Sequence, residues 1–311
     1  MAALIGEPPA GHAGAGTGAE ARFAVAVSGG PDSMALLWLA VRAFPGQVQA
    51  ATVDHGLRAE ARAEAEMVAR WCRDEGVPHA ILLPDRPIGG SVQAAARAAR
   101  YALLHRWRET QGLGWLLTAH HADDQRETVL MRLNRSSGVG GLAAIRARNG
   151  AVLRPLLGWR RAELAAIVAA RGLPCVDDPS NRDERFDRVT MRNHLAGVEW
   201  IDPLAVSRSA AACADAEEAL CWMVAQLARE HVESDGQGGF ALRRWDFPME
   251  MQRRLVSHML AMAEPGAVAP RGNTLDQALA RMRAGEKASI GNWLLSGGPI
   301  WTVRPAPPRR R

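Results

Sequence analysis

At 311 residues and 33.5 kDa the chain has room for one large domain and a smaller one. Hydrophobic residues make up 48%, charged residues 23%, and mean hydropathy is −0.14. That is a globular composition, and no apolar run nears the roughly 20 residues of a membrane span, so membrane and disordered classes are excluded. A net charge of +5 and a pI of about 9.6 permit a polyanionic partner. Nearly all the basic residues are arginine, with Lys287 the single lysine, so charge alone does not establish one.

Residues 1–20 lack the basic start and apolar core of a signal peptide, and their Gly, Ala and Pro content predicts a disordered tail. A cytoplasmic location is the default expectation. From Arg22 onward, short β-rich runs alternate with longer helical ones. Strands are expected at 23–27, 48–53, 79–83 and 115–118. Helices are expected at 34–43, 59–75, at 92–109 behind a Ser91 cap, and from Asp123 through Leu133. This rhythm predicts a parallel sheet with helices on both faces, and ligands beyond the carboxyl ends of its strands. After Gly150 the pattern changes. A helix is expected at 160–170, a polar turn at Asp177–Asn181 (DDPSN), and a boundary at Asp202-Pro203. Helices at 204–231, 249–263 and 273–284 and short strands near 288–294 and 300–303 predict a smaller, mainly helical second domain. No two of Cys72, Cys175, Cys213 and Cys221 form a CxxC pair, so zinc and iron–sulfur sites are not indicated and buried reduced thiols are expected.

The strongest chemical signal is FAVAVSGGPDSMALL. An apolar strand ends in Ser28-Gly29-Gly30-Pro31-Asp32-Ser33, and a helix follows. Two glycines let backbone N–H groups approach phosphate oxygens, and the helix N-terminus adds partial positive charge at that point. Ser28 and Ser33 can donate hydroxyl hydrogen bonds, and Asp32 suits phosphates only if it helps to hold Mg²⁺. A plain strand-to-helix turn capped by Asp32 or Ser33 would explain an isolated Ser-Gly-Gly; the flanking elements and paired hydroxyls favour the phosphate loop. There is no GxxxxGK[ST], and GAGTG at 14–18 lacks both a strand and the GxGxxG spacing.

Three further blocks follow in order: DHGLR at 54–58, AHHADDQRET at 119–128 with RSSGVGGL at 135–142, and DDPSN ahead of Arg188 and Arg192. DHGLR follows the second strand, making Val53, Asp54 and His55 candidates for adenosine contact; an ordinary polar turn is the alternative. Asp123 and Asp124 bring two titratable carboxylates to the end of the fourth strand, or Asp123 simply caps its helix. Arg97, in ARAARY, has the planar fork that binds phosphate, or lies on a solvated face.

The SGGxDS loop resembles that of the PP-loop, or N-type, ATP pyrophosphatases, which split ATP between the α and β phosphates and join AMP to a substrate oxygen. With the later blocks, the chain resembles the tRNA(Ile)-lysidine synthetase family over roughly Phe23 to Arg192. The resemblance implies ATP and Mg²⁺ as cofactors and the CAU-anticodon isoleucine tRNA and free L-lysine as substrates. It implies an adenylated wobble cytidine as intermediate, with AMP and pyrophosphate as products. Asp32, Asp123, Asp124, Arg97 and Arg192 become catalytic candidates. Ser28 to Ser33 with Val53, Asp54 and His55 become ATP ligands, and Arg135, Arg188 and Arg192 tRNA ligands. No protein partner is expected, with a homodimer left open. Two departures stand out: Ser136 where the family more often has glycine, and Thr190 where it usually has a basic residue. A tRNA thiolase is the alternative within the fold, but it needs a persulfide pair or CxxC cluster. The expected organisation is a tail to residue 20, a catalytic domain over 21–200, a tRNA-binding domain over 201–303 and a basic tail over 304–311.

Overall fold

The computed structural model describes residues 22–54, 59–84, 92–176, 187–270 and 272–307. The N-terminal tail, residues 55–58 of DHGLR with His55, Ser91, the DDPSN turn and residues 308–311 lie outside them. Two compact units emerge, residues 1–214 and 215–311.

In the first unit, β1 (Phe23–Ala26) leads to α1 (Pro31–Ala43), β2 (Val48–Val53) to α2 (Ala59–Asp74), and β3 (His79–Leu82) to α3 (Val92–Thr110). After β4 (Trp115–Leu117) come α4 (Ala122–Leu133), a single turn α5 (Val139–Leu142), and the hairpin β5 (Arg148–Asn149) and β6 (Val152–Leu153). Helices α6 (Arg161–Arg171) and α7 (Asp187–Leu195) follow, then α8 (Pro203–His231), within which the unit boundary falls. The sheet order is β3-β2-β1-β4-β6-β5, parallel except for the β5 edge. The expected parallel sheet is present. Strand β1 alternates cleanly: Phe23, Val25 and Val27 pack with α1, α2 and α6, while Ala24 packs with Leu104 and Trp107 of α3. Both faces are therefore covered, which is why these strands read as near-continuous apolar runs.

Strand order reverses beside β1, where chain order runs outward through β2 and β3 on one side and jumps to β4 on the other. Val25 is in register with Leu117, so the loops that leave β1 and β4 emerge next to each other. That is the switch point at which open α/β sheets bind ligands.

In the second unit, β7 (Val232–Ser234) and β8 (Phe240–Leu242) precede α9 (Met249–Ala263) and α10 (Gly272–Arg283). Strands β9 (Lys287–Ile290), β10 (Trp293–Ser296) and β11 (Trp301–Pro305) complete an antiparallel sheet of order β7-β8-β11-β10-β9. Leu242, Leu295, Trp301 and Val303 pack with Leu255, Met259, Leu279 and Met282 of the helices. The expected single strand at 288–294 is a hairpin instead: Gly291, at φ +57, turns β9 back into β10. Only Cys72 among the four free cysteines is buried, so the expectation of buried thiols holds for that one.

Candidate active site

The loop leaving β1 is preorganised by its own hydrogen bonds. Gly29 sits at φ +84, a conformation open to glycine, and an added Cβ there would also press on Val176 at 3.2 Å. Gly30 caps α1 and Pro31 occupies its first turn, so the helix starts three residues before the expected Met34. The Ser33 hydroxyl donates to the Gly30 carbonyl at 2.9 Å and accepts the Ser28 amide at 3.1 Å; the two serine hydroxyls lie 3.2 Å apart. The Val176 amide holds the Gly29 carbonyl at 3.0 Å from the other side. In the first turn of α1, Pro31 has no N–H, and the Ser33 and Met34 amides both donate to the Gly30 carbonyl, at 3.1 and 3.0 Å. Asp32 Oδ1 is buried without a hydrogen-bond partner, which leaves that oxygen free for a hard cation. Among the described residues no cluster of three or more metal-ligating side chains forms. A single carboxylate together with phosphate oxygens is the usual way to hold Mg²⁺, so the residues fit that ion.

Beside this loop, α4 begins with His121 as its cap, two residues ahead of the expected Asp123. The Asp124 amide donates to His121 Nδ1 at 3.3 Å, and the His121 amide donates to Asp124 Oδ2 at 3.1 Å. With Nδ1 accepting, Nε2 carries the ring proton and points it toward Asp32 Oδ2 at 3.4 Å and Asp124 Oδ2 at 3.6 Å. Burial alone would lower the His121 pKa; the bond to Asp32 and the charges of Asp124, Asp32 and Asp123 outweigh it and raise it. Asp124 shows the mirror image. Burial would raise its pKa, but His121, Arg188, His120 and the His121 amide hold it below the usual carboxylate range. His120, bonded to the Thr118 hydroxyl at 3.1 Å, is pushed down to about 3, chiefly by burial. Arg154, Arg97 and Arg188 push it the same way against the pull of Asp124, so it is neutral.

Helix α7 closes the corner. Arg192 Nε donates to Glu127 Oε1 at 2.8 Å, and Arg188 lies 3.9 Å from the other Glu127 oxygen and 3.3 Å from the Thr128 hydroxyl. Glu127 is only 2% exposed. It was not singled out from the sequence, although its place three residues after Asp124 on one helix is a signal that could have found it. Burial would lower the Arg192 pKa; the Glu127 bond and the charges of Glu127, Asp124 and Asp32 raise it.

Asp32, Asp124, Arg188 and Arg192 thus share one corner with His120, His121 and Glu127. Asp123 lies at the edge of the corner, its Oδ2 3.8 Å from His121 Nδ1 and accepting the Arg161 amide at 2.8 Å at the start of α6. Arg97 is exposed and lies over the Tyr101 ring at 5.3 Å, yet its charge reaches His120. Val53 ends β2 half-buried, and buried Asp54 donates its amide to Leu82 at 2.9 Å. Arg135 pairs with Asp187 at 2.8 Å on the open surface, apart from the cluster.

A self-bonded glycine turn and a cluster of buried charges at a switch point define a nucleotide-using enzyme of the PP-loop class, and a PP-loop domain model matches residues 13–199. The tRNA(Ile)-lysidine synthase of Zymomonas mobilis is 41% identical over 300 residues, covering 93% of this chain and 90% of that protein. That of Novosphingobium aromaticivorans is 42% identical, covering 89% of each. The chain belongs to the tRNA(Ile)-lysidine synthase family. The U34-tRNA thiolase NcsA from Methanococcus maripaludis, solved with its [4Fe-4S] cluster, covers 64% of this chain and 72% of its own at TM-score 0.53. Its 17% identity makes that a likeness of fold.

Proposed function

We propose that this chain ligates lysine to C2 of the wobble cytidine (position 34) of a CAU-anticodon isoleucine tRNA, forming lysidine with release of AMP and pyrophosphate. The observation that carries the reading is the meeting, across β1 and β4, of a phosphate-type loop with a corner of half-buried charged groups around buried His121 and Glu127. Mere nucleotide binding does not require that second half.

The loop amides and the Ser28 and Ser33 hydroxyls hold the phosphates of ATP, with Val53, Asp54 and His55 against the adenosine. Asp32 would hold Mg²⁺, which would supply positive charge to the phosphates. His121 Nε2, 3.4 Å from Asp32 Oδ2, steadies that carboxylate beside the loop. Attack by the cytosine O2 on the α-phosphorus forms the adenylate and frees pyrophosphate. Asp124, held ionised by its neighbours, then draws the lysine ammonium to C2 and orients it, and the ammonium proton passes to solvent before the amine attacks. The new C2–N bond forms as the C2–O2 bond breaks, and AMP departs with that oxygen. Arg188 and Arg192 reach tRNA from α7, with Arg97 and Arg135 at the rim and the second unit gripping the remainder. An anticodon loop offers unstacked bases, the usual target of sequence-specific RNA recognition. Among the described residues no helix is long and apolar enough to cross a membrane, and a cytoplasmic place fits a tRNA substrate.

The test incubates the protein with ATP, labelled lysine and CAU-anticodon tRNA. Label entering the tRNA together with pyrophosphate release supports the reading; ATP turnover without lysine transfer overturns it.

A further inference from the structure

The two neighbouring carboxylates of AHHADDQRET lie about 100° apart around α4. Asp124 accepts the His121 amide in the corner, while Asp123, 3.8 Å from His121 Nδ1, reaches on toward α6 and the turn before α8. Its Oδ2 accepts the Arg161 amide at 2.8 Å, and the Ala122 amide donates to the Trp159 carbonyl at 2.9 Å, so α4 and α6 are stitched together at their N-termini. Asp123 Oδ1 lies 3.6 Å from Arg126 Nη2. Arg126 Nη1 donates in turn to the carbonyls of Val198 at 3.3 Å and Ile201 at 3.2 Å. One residue on, Asp202 caps α8 by accepting the amides of Leu204 and Ala205, and its Oδ1 holds Arg160 at 2.7 Å. The Ser207 hydroxyl on α8 donates to the Leu157 carbonyl at 2.7 Å. Residues 157–161 therefore join the first turn of α4 to the first turn of α8.

We propose that Asp123 is a positioning residue: it locks the first turn of α4, and with it His121 and Asp124, to the segment from which α8 starts. Its Oδ2 is bonded to the Arg161 amide and its Oδ1 stands beside Arg126, an arrangement that anchors the turn rather than handling the amine. The geometry also gives α8 a line to the catalytic turn. A displacement of its first turn passes through Asp202 and Arg160, and through residues 198–201 and Arg126, to the backbone that aims Asp124. The proposal rests on the lysidine reading above, because that reading supplies the amine step being positioned.

Asparagine still accepts the Arg161 amide, whereas alanine leaves that amide and Arg126 without their partner, and a misplacement of about 1 Å costs rate steeply. Asp123→Asn should keep kcat for lysine transfer within about threefold of wild type, and Asp123→Ala should lower it by about tenfold or more with KM for ATP nearly unchanged. Asp124→Asn in parallel should cost about a hundredfold. Arg126→Gln approaches the same junction from its other end and should mirror Asp123→Ala, with folding of every variant checked by thermal melting. If Asp123→Asn is as inactive as Asp124→Asn, Asp123 touches the amine and the proposal is overturned. If Asp123→Ala and Arg126→Gln both retain wild-type kcat, the junction does not aim the site and it is equally overturned. Wild-type protein that transfers no lysine fails the lysidine reading instead, so the two failures are distinguishable.

Discussion

The two halves of the corner solve different problems with different materials. The loop after β1 is made of backbone and hydroxyls: Gly29, Gly30, Ser28 and Ser33 hold one another in place, and Asp32 is its one ionised side chain. The half built on α4 and α7 is made of charge, with Asp124, Glu127, Arg188 and Arg192 set around two histidines whose pKa values move in opposite directions. A preorganised amide cradle suits an anion that arrives with its own cation. Buried, mutually compensated charges suit a proton or ammonium that must be held in one orientation. The second unit gives the contrast. Pairs there such as Arg244 with Asp246 and Arg281 with Glu286 stand at the surface, where water screens them.

The largest effect should come from the loop half. Asp32→Asn removes its one ionised group and should cut adenylate formation by at least about a hundredfold, read as pyrophosphate release in a single turnover. An unchanged rate would place the charge requirement wholly on the α4 side.

The paired histidines sharpen the contrast through pH. His120, lowered to about 3, refuses a proton that the unfolded chain takes near 6.5, so its contribution to stability is full above that pH and declines as pH falls. His121, raised, works the other way: its contribution is full below about 6.5 and is lost as pH rises through its folded value. His120→Gln should therefore flatten the acid side of the stability curve, by about 2 kcal/mol between roughly pH 6.5 and 4.5, in urea melts. His121→Gln should leave that side steep.

Glu127→Gln leaves Arg192 without its counter-charge. Arg192 is about a third exposed, so water softens the loss to about 1–2 kcal/mol, a fall of roughly 2–8 °C in Tm. KM for tRNA should rise more than KM for ATP. Equal rises would mean that α7 also serves the nucleotide.

Ser136→Gly is the smallest change and should stabilise. Ser136 stands at φ +52, a left-handed conformation that costs a residue with a Cβ about 1–2 kcal/mol, partly returned as unfolded-state entropy when glycine replaces it. A gain of about 0.5 kcal/mol in calorimetry is expected.

The loop half was legible in the sequence because its requirements are local: a strand, two glycines and two hydroxyls within a few residues. The α4 half was less so. Asp123 and Asp124 are neighbours in the chain but about 100° apart around a helix, and tertiary contacts decide which of them faces the corner. Glu127 meets Arg192 across 65 residues, a pairing that no spacing rule reveals. The parallel sheet followed from alternating apolar runs and helical stretches. The second sheet was half seen, since its short strands carry little periodicity and Gly291-Asn292 hid a turn inside what looked like one strand.

The division of labour between the two halves has one direct test. Wild type and Asp124→Asn are mixed with labelled ATP and CAU-anticodon tRNA, quenched in acid through the first turnover, and the tRNA-bound AMP is counted with and without lysine. The account predicts that Asp124→Asn forms adenylated tRNA at near the wild-type rate and accumulates it when lysine is present, while wild type consumes it. Loss of adenylation in Asp124→Asn to the same degree as in Asp32→Asn would contradict it.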